Sequence, residues 1–473
     1  MIHAYKLNGY NIVLDVNSGA VHVVDDMFYD LVTALKEPIE KEIPADVLDT
    51  LSQKYDRNEC LEAYEDVLEL YHKGTLFSVD DYEKFSDKMG VSPIKAMCLH
   101  ISHDCNLRCE YCFAGQGNYG GGRVNMPIEV GMLAIDYLIE KSENRRNLEV
   151  DFFGGEPLIN WDVVKEIVRY ARSKEKEYNK VFRFTITTNG VLLTDDKIDF
   201  INKEMYNAVL SIDGRKSVHD KVRHKVDNSG SYDQIIGNFK KLVDKRGDGQ
   251  YYARGTFTKY NLDFTNDILH LNEDCGFEQI SVEPVVADPT LPYALTEEDL
   301  PAIYEEYEKL AKIIIEKRKN HEGFNFFHFM MDMDQGPCAI KRLRGCGAGN
   351  EYVAITPDGD VYPCHQFVGE NGWKMGDVFS KSVDMDMKKK FAASNVYGKE
   401  SCRDCWAKFY CSGGCNANGY KYSGDILKPY KLSCDLEKKR VECAIMIKAA
   451  LMNETQELNT VKEDCDSCEG CNA

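Results

Sequence analysis

The spacing of apolar positions divides the chain into three regions of different period. Over the first 85 residues, short alternating runs (His3–Leu7, Asn11–Val16, Ala20–Asp25) are separated by the turn signals Asn8-Gly9 and Asn17-Ser18-Gly19, and a helical pattern follows from Met27 to Tyr71. This predicts a β-hairpin module followed by helices. From Ile94 the pattern alternates between strand and helix periods. Strands are expected near 94–102, 148–153, 181–188, 207–213, 251–258 and 278–286. The clearest helices between them cover 128–142, 161–178 and 232–244, the last with Ile235, Ile236, Phe239, Leu242 and Val243 on one stripe. Six βα units predict an α/β fold with a parallel sheet curled into a partial barrel of the TIM type. A longer helix from Glu297 to Lys319, striped with Leu300, Ile303, Tyr307, Leu310 and Ile314, closes that region. After about Gly336 the periodicity fades and cysteines take over.

Charge narrows the function classes. Of the 473 residues 58 are basic and 78 acidic, a net charge of -20. Such a surface repels a phosphate backbone, so nucleic acid is not an expected partner. No apolar run is long enough to span a membrane, and Met1–Tyr10 lacks the charged-then-apolar build of a signal peptide. The expectation is a cytoplasmic protein with no membrane partner. Its 18 cysteines are clustered rather than spread, which in a reducing compartment points to metal or redox chemistry rather than disulfides.

The first array, Cys105-Asn106-Leu107-Arg108-Cys109-Glu110-Tyr111-Cys112, follows the first barrel strand. Chance gives one such three-cysteine spacing a frequency of about 0.03. Three thiolates can hold three corners of a 4Fe-4S cube and leave the fourth iron open. A zinc site would need a fourth ligand, for which His103 is the candidate. The array, with its aromatic Tyr111 before the last cysteine, resembles the signature of radical S-adenosylmethionine (SAM) enzymes. In that family the open iron chelates the methionine part of SAM, and an electron from the cluster yields a 5'-deoxyadenosyl radical that abstracts a substrate hydrogen. Three more segments agree in strand order: Asp151-Phe152-Phe153-Gly154-Gly155-Glu156-Pro157 after strand two, Thr187-Thr188-Asn189-Gly190 after strand three, and Ser211-Ile212-Asp213-Gly214 after strand four, with Arg223 downstream. Paired glycines permit close backbone approach to a ligand, and a carboxylate suits an ammonium group. The resemblance implies that Gly154, Gly155, Glu156 and Pro157 meet the SAM amino group. It places Thr188 and Asn189 near the ribose, and Asp213 and Tyr111 in the same site. Ser211 and Arg223 would hold the SAM carboxylate, and strand six, Ile280–Pro284 with Val285 after it, would border the adenine.

Downstream, Cys346 and Cys364 precede Cys402-x2-Cys405-x5-Cys411-x3-Cys415 and a distant Cys434. The four-cysteine core alone has a chance frequency of about 0.001; a structural zinc ribbon is its competing reading. These seven cysteines match the SPASM extension of radical SAM enzymes, which holds two auxiliary clusters, so the resemblance implies three 4Fe-4S clusters in all. Cys402, Cys405, Cys411 and Cys434 would ligate the distal cluster. Cys346, Cys364 and Cys415 would ligate the nearer one, with Cys338 a candidate fourth ligand and an open iron the alternative. The tail Cys465-x2-Cys468-x2-Cys471 reads as an acidic terminus without a catalytic role. Cys98 and Cys443 read as packed thiols, Cys60 and Cys275 stay undecided, and Phe329–Met333 reads as core or cavity wall.

The expected organisation is 1–85, 90–320, 336–450 and a tail of 451–473. The first module resembles the winged-helix-like PqqD element that binds leader peptides, which strand addition at Val21–Val24 would explain. The whole resembles thioether-forming peptide maturases, most closely those of SCIFF peptides (six cysteines in forty-five residues), within the sactipeptide and ranthipeptide maturases. That implies a cysteine-rich precursor peptide as substrate and flavodoxin or ferredoxin as electron donor. The rivals are an anaerobic sulfatase-type maturase, which oxidises Cys or Ser to formylglycine, and a non-catalytic electron-transfer protein.

Overall fold

The computed structural model describes residues 1–86, 89–331 and 342–466, with the backbone alone from 453 onward. β1 (Ile2–Leu7), β2 (Tyr10–Asp15) and β3 (Val21–Val24) form an antiparallel sheet in that order. Asn8 and Gly9 both take positive φ, 52° and 87°, the conformation that matches a tight turn to strand twist. α1 (Asp26–Ala34), α2 (Ala45–Leu51) and α3 (Arg57–His72) cover one face. The pleat of β2 then divides its side chains between two cores. Val13 packs with Leu31, Val32, Tyr64 and Val67 in the module's own core. Ile12 and Leu14 face the other way, into the main core of the molecule. That second face is covered by the C-terminal helix Lys431–Asp466, where the Tyr5 hydroxyl donates to the Glu442 carbonyl oxygen at 2.9 Å. Cys60 and Cys275 are both buried, which settles their reading as packed thiols alongside Cys98 and Cys443.

After α4 (Glu83–Ser86) comes the alternating region: β4 (Ala96–Ser102), α5 (Ile128–Lys141), β5 (Asn147–Gly154), α6 (Trp161–Tyr178), β6 (Val181–Thr188), α7 (Asp195–Glu204), β7 (Asn207–Ser211), α8 (Lys216–Val222), α9 (Tyr232–Arg246), β8 (Gln250–Phe257), α10 (Phe264–Leu269), β9 (Gln279–Pro284) and α11 (Leu300–Lys319). β4 to β9 lie side by side in chain order, each parallel to the next. β4 and β9 do not pair, so the sheet stays open, as a partial barrel does. β10 (Asn325–Phe326) extends it beyond β9. Beyond β4 the cysteine-rich region adds β11 (Tyr352–Ile355), parallel to β4, and then β12 (Asp360–Tyr362) and β13 (Gly376–Asp377), giving ten strands. The pattern of apolar residues had not predicted these additions, because strands of two to four residues carry too little periodicity to read. Of the Phe329–Met333 run, Phe329 is buried but Met330 is half-exposed, and Asp332 and Met333 lie outside the described residues.

The three regions interlock. The His3 ring stacks on Trp406 with centroids 3.7 Å apart, Tyr397 donates to Asp80 at 2.6 Å, and the buried Lys408 ammonium pairs with Asp80 at 2.6 Å. Lys408 is 3 % exposed and Asp80 28 %, so replacing the lysine strands a half-buried carboxylate. Lys408→Met should cost about 2 kcal/mol, read as a lower midpoint in urea unfolding of the metal-free protein.

Candidate active site

The cluster loop begins where β4 ends and is clasped from two sides. On one side lies the end of β5: the Gly155 amide donates to the Ser102 carbonyl at 2.7 Å and the Glu156 amide to the Asp104 carbonyl at 2.9 Å. A Cβ on Gly154 (φ +120°) would stand 2.3 Å from the Ser102 oxygen, and one on Gly155 2.1 Å from the Asp104 oxygen. The paired glycines therefore admit the cluster loop itself, where close approach to a ligand was the expectation. On the other side, the Arg108 amide donates to the His224 carbonyl at 2.8 Å and the Glu110 amide to Val222 at 2.9 Å.

Two buried carboxylates pin these loops. Asp213, fully buried, accepts from the Tyr111 hydroxyl at 2.6 Å, from Arg223 Nε at 3.0 Å and from the Thr256 amide at 3.0 Å. Arg223 Nε also donates to the Tyr111 oxygen at 2.6 Å. Arg223 is also among the residues that line the cavity described below. Glu156 accepts from Thr188 Oγ1 and the Asn189 amide, both at 2.8 Å, and from the Leu158 amide at 3.1 Å. These bonds fasten β5 to β6, and the Glu156 side chain also borders the cavity described below. Burial pushes its pKa up to about 7 against these donors. Asn189 Nδ2 in turn donates to Asn106 Oδ1 at 2.8 Å, inside the cluster loop.

A cavity of about 630 Å³ opens at this end of the strands. Cys105, Cys109, Tyr111, Cys112, Gly154, Gly155, Glu156, Thr188, Asn189, Ser211, Arg223 and Val285 all line it. Pro157 and Asp213 do not: Pro157 starts a buried turn beneath the loop and Asp213 is spent on Tyr111 and Arg223. His103, the candidate zinc ligand, is paired instead with His100, Nε2 to Nδ1 at 3.0 Å, and burial takes its pKa down to about 4. Glu283, within the strand expected to border the adenine, also lines the cavity, as do Arg254, His365, Asn418 and Lys421, which no motif singles out. Arg254 and Glu283, an ion pair at 2.9 Å, stand on strands whose ends carry chemistry in barrels, a rule that could have singled them out.

The thiols gather in three groups. Cys105, Cys109 and Cys112 lie within each other's electrostatic reach. So do Cys346, Cys364 and Cys415, and Cys402, Cys405, Cys411 and Cys434. Cys415 also lines the cavity, opposite the first group. Among the described residues no three His, Cys, Asp or Glu side chains converge tightly enough to hold a single metal ion. The donor set of each group, three or four cysteine thiols, is the one that an iron-sulfur cube takes. Burial pushes the Cys105, Cys109 and Cys411 thiols up to about 12 and Cys434 to about 11, so thiolates form there when iron arrives and protons leave. Cys338, Cys468 and Cys471 lie outside the described residues, and of Cys465 only the backbone is described.

Two outcomes follow from this geometry. Gly155→Ala pushes the cluster loop off β5, and should lower SAM cleavage on the order of a hundredfold while iron at the other two thiol groups stays; iron content and deoxyadenosine yield check it. Glu156 is most stable in the fold as the neutral acid, so its contribution is full below its ordinary value of 4.5 and is lost as pH rises to about 7. Glu156→Gln removes this titration, so the dependence of stability on pH between 4.5 and about 7 should flatten, measured by thermal unfolding of the metal-free protein at several pH values.

Residues 99–257 match the radical SAM superfamily and residues 346–406 the SPASM iron-sulfur cluster-binding domain. The radical SAM cyclopropyl synthase TigE of Paramaledivibacter caminithermalis is 25 % identical over 365 residues, 73 % of this chain and 72 % of that one. A cysteine-type anaerobic sulfatase-maturating enzyme of Clostridium novyi is 27 % identical over 338 residues, 67 % of this chain and 86 % of that one. Streptococcus suis SuiB bound to its precursor peptide SuiA has the same fold, with a TM-score of 0.52 at 15 % identity over 92 % of this chain and 98 % of that one. Over its parallel strands the chain thus matches the radical SAM superfamily, and over part of its cysteine-rich region the SPASM iron-sulfur cluster-binding domain.

Proposed function

We propose that the protein installs thioether crosslinks, cysteine sulfur to carbon, in a cysteine-rich precursor peptide of the SCIFF type. The observation that carries this is a second groove, of about 720 Å³, between the free edge of β3 and α3. β3 pairs only with β2, so its outer edge is open to an added strand. Val21, Val23 and Leu70 offer apolar contact there, and Asp66 and Glu69 offer charge to a basic leader. SuiB, whose structure holds a precursor peptide, aligns in fold with 92 % of this chain, against 76 % for anSMEcpe; the wider alignment leaves room for the groove module.

The residues divide the work. Cys105, Cys109 and Cys112 would hold the SAM-binding cluster, which supplies the hydrogen-abstracting radical when bound. Arg223, which lines the cavity, would hold the SAM carboxylate. Forming a thioether removes a hydrogen from carbon and one from sulfur, so a second electron must leave. Cys346, Cys364 and Cys415, across the cavity, would hold the first outlet, and Cys402, Cys405, Cys411 and Cys434 the second. Arg254, Lys421 and Asn418 stand where peptide groups would lie. Low-potential electrons would come from flavodoxin or ferredoxin.

Anaerobic co-expression with such a peptide, then reduction, alkylation and mass analysis, tests the reading. Expected is the loss of one hydrogen pair and one alkylatable thiol per crosslink; a single oxidised residue with no crosslink would favour the formylglycine reaction instead. Val23→Asp should weaken leader-peptide binding about tenfold or more and leave peptide-independent SAM cleavage unchanged, by fluorescence anisotropy and deoxyadenosine yield.

A further inference from the structure

Lys399 is a buried charge that the sites above leave unexplained. Its side chain is almost wholly inside the protein, at 1 % exposure. Nζ donates to the Gly413 carbonyl at 2.6 Å and to Asn416 Oδ1 at 2.8 Å. The Ser394 hydroxyl holds that same Asn416 oxygen at 2.9 Å and so fixes its aim. The stem runs beneath Gly413, whose φ is +88° and where a Cβ would stand 3.6 Å from Lys399 Cδ. The backbone is engaged as well, since the Cys402 amide donates to the Lys399 carbonyl at 2.9 Å.

No carboxylate forms an ion pair with this ammonium among the described residues; burial lowers its pKa, and the sulfurs of Cys402, Cys411, Cys415 and Cys434 are the groups that would favour its charge once they are thiolates. A desolvated lysine is costly unless negative charge compensates it. Thiolate-ligated iron-sulfur clusters provide such charge: they are anionic, and they become more so on reduction. Lys399 Nζ is hydrogen-bonded to Gly413, between Cys411 and Cys415, and to Asn416, the residue after Cys415. Three of the four sulfurs facing it belong to the distal group and one to the nearer group.

We propose that Lys399 is a positioning residue for the departing electron: its fixed charge makes the distal site a better resting place than the nearer one, and so directs electrons away from the cavity. The inference rests on the reading of two auxiliary clusters. The step moves one electron and makes or breaks no bond; the nearer site is oxidised and the distal site reduced. Cys415, which lines the cavity, gives the electron its entry, and the ammonium lowers the energy of the reduced state on the far side of the loop.

The test uses full-length protein in which Cys105, Cys109 and Cys112 are alanine, so that only the auxiliary sites load. It reads iron and sulfide content and an EPR-monitored redox titration, with the distal signal assigned by its loss in Cys402→Ala. The wild-type distal site should have the higher potential; the reverse order would overturn the proposal. Lys399→Gln keeps an amide donor for Gly413 but removes the charge. It should shift the distal reduction equilibrium about tenfold or more toward the oxidised form, ~59 mV for one electron, and move the nearer site less, whereas Lys399→Arg should stay near wild type. Full iron with both potentials unchanged, or a larger shift at the nearer site, would refute the role of Lys399 alone. Wild-type protein that takes up no auxiliary iron would refute the cluster reading itself, and the inference with it.

Discussion

β11 pairs in parallel with β4, Ala354 opposite Cys98, and the placement of every thiol group depends on that ladder. β4 is buried at all seven positions, because β5 occupies one edge, β11 the other, and side chains cover both faces. Met97, Leu99 and Ile101 face the helices. Cys98 faces inward with Ala114, Tyr119, Ala354 and Val368. One strand thereby carries the first cluster loop at its end and anchors the cysteine-rich region along its side. Backbone hydrogen bonds between parallel strands tolerate little slippage when both faces are packed, so the register of β11 on β4 fixes where the cysteine-rich region begins relative to the first cluster loop.

The amino-terminal module is held by a related economy of surfaces. β2 sends Val13 into one core and Ile12 and Leu14 into another, so the small sheet serves as a layer between its own helices and the C-terminal helix. That same helix starts near Cys434 and runs on to Ile445 and Met452, which line the β3 groove. The proposed peptide site and the distal thiol group therefore share a rigid element. His3 against Trp406, next to Cys405, makes the connection a second time.

Four ionisable groups of the interior show two uses: fastening loops and facing thiols. Asp213 and Glu156 fasten loops, with three donors each. Lys408 fastens the linker through Asp80. Lys399 faces sulfur. Such networks are costly when half satisfied and specify one arrangement when complete, which is the requirement of a site that must present three thiols to one cube.

Much of the chemistry was legible in the chain itself, because covalent spacing constrains what nearby residues can do. Three cysteines within eight residues on one loop must converge wherever that loop goes, and the period of Ile235, Phe239 and Leu242 requires a helix whatever it packs on. The six parallel strands followed from the same local patterns. What local pattern could not contain was the use of side chains across distance. Glu156 gains Thr188 and Asn189 as donors only when the fold brings β6 beside β5, and the glycine pair that lines the cavity also admits Ser102 and Asp104. His103 looked like a ligand until His100 stood beside it. Arg254 and Lys399 have no motif, and only the meeting of strands and loops far apart in sequence gives them partners. Sequence determines which groups are available and their local geometry; tertiary packing decides which of them are already satisfied by the protein and which remain for a ligand.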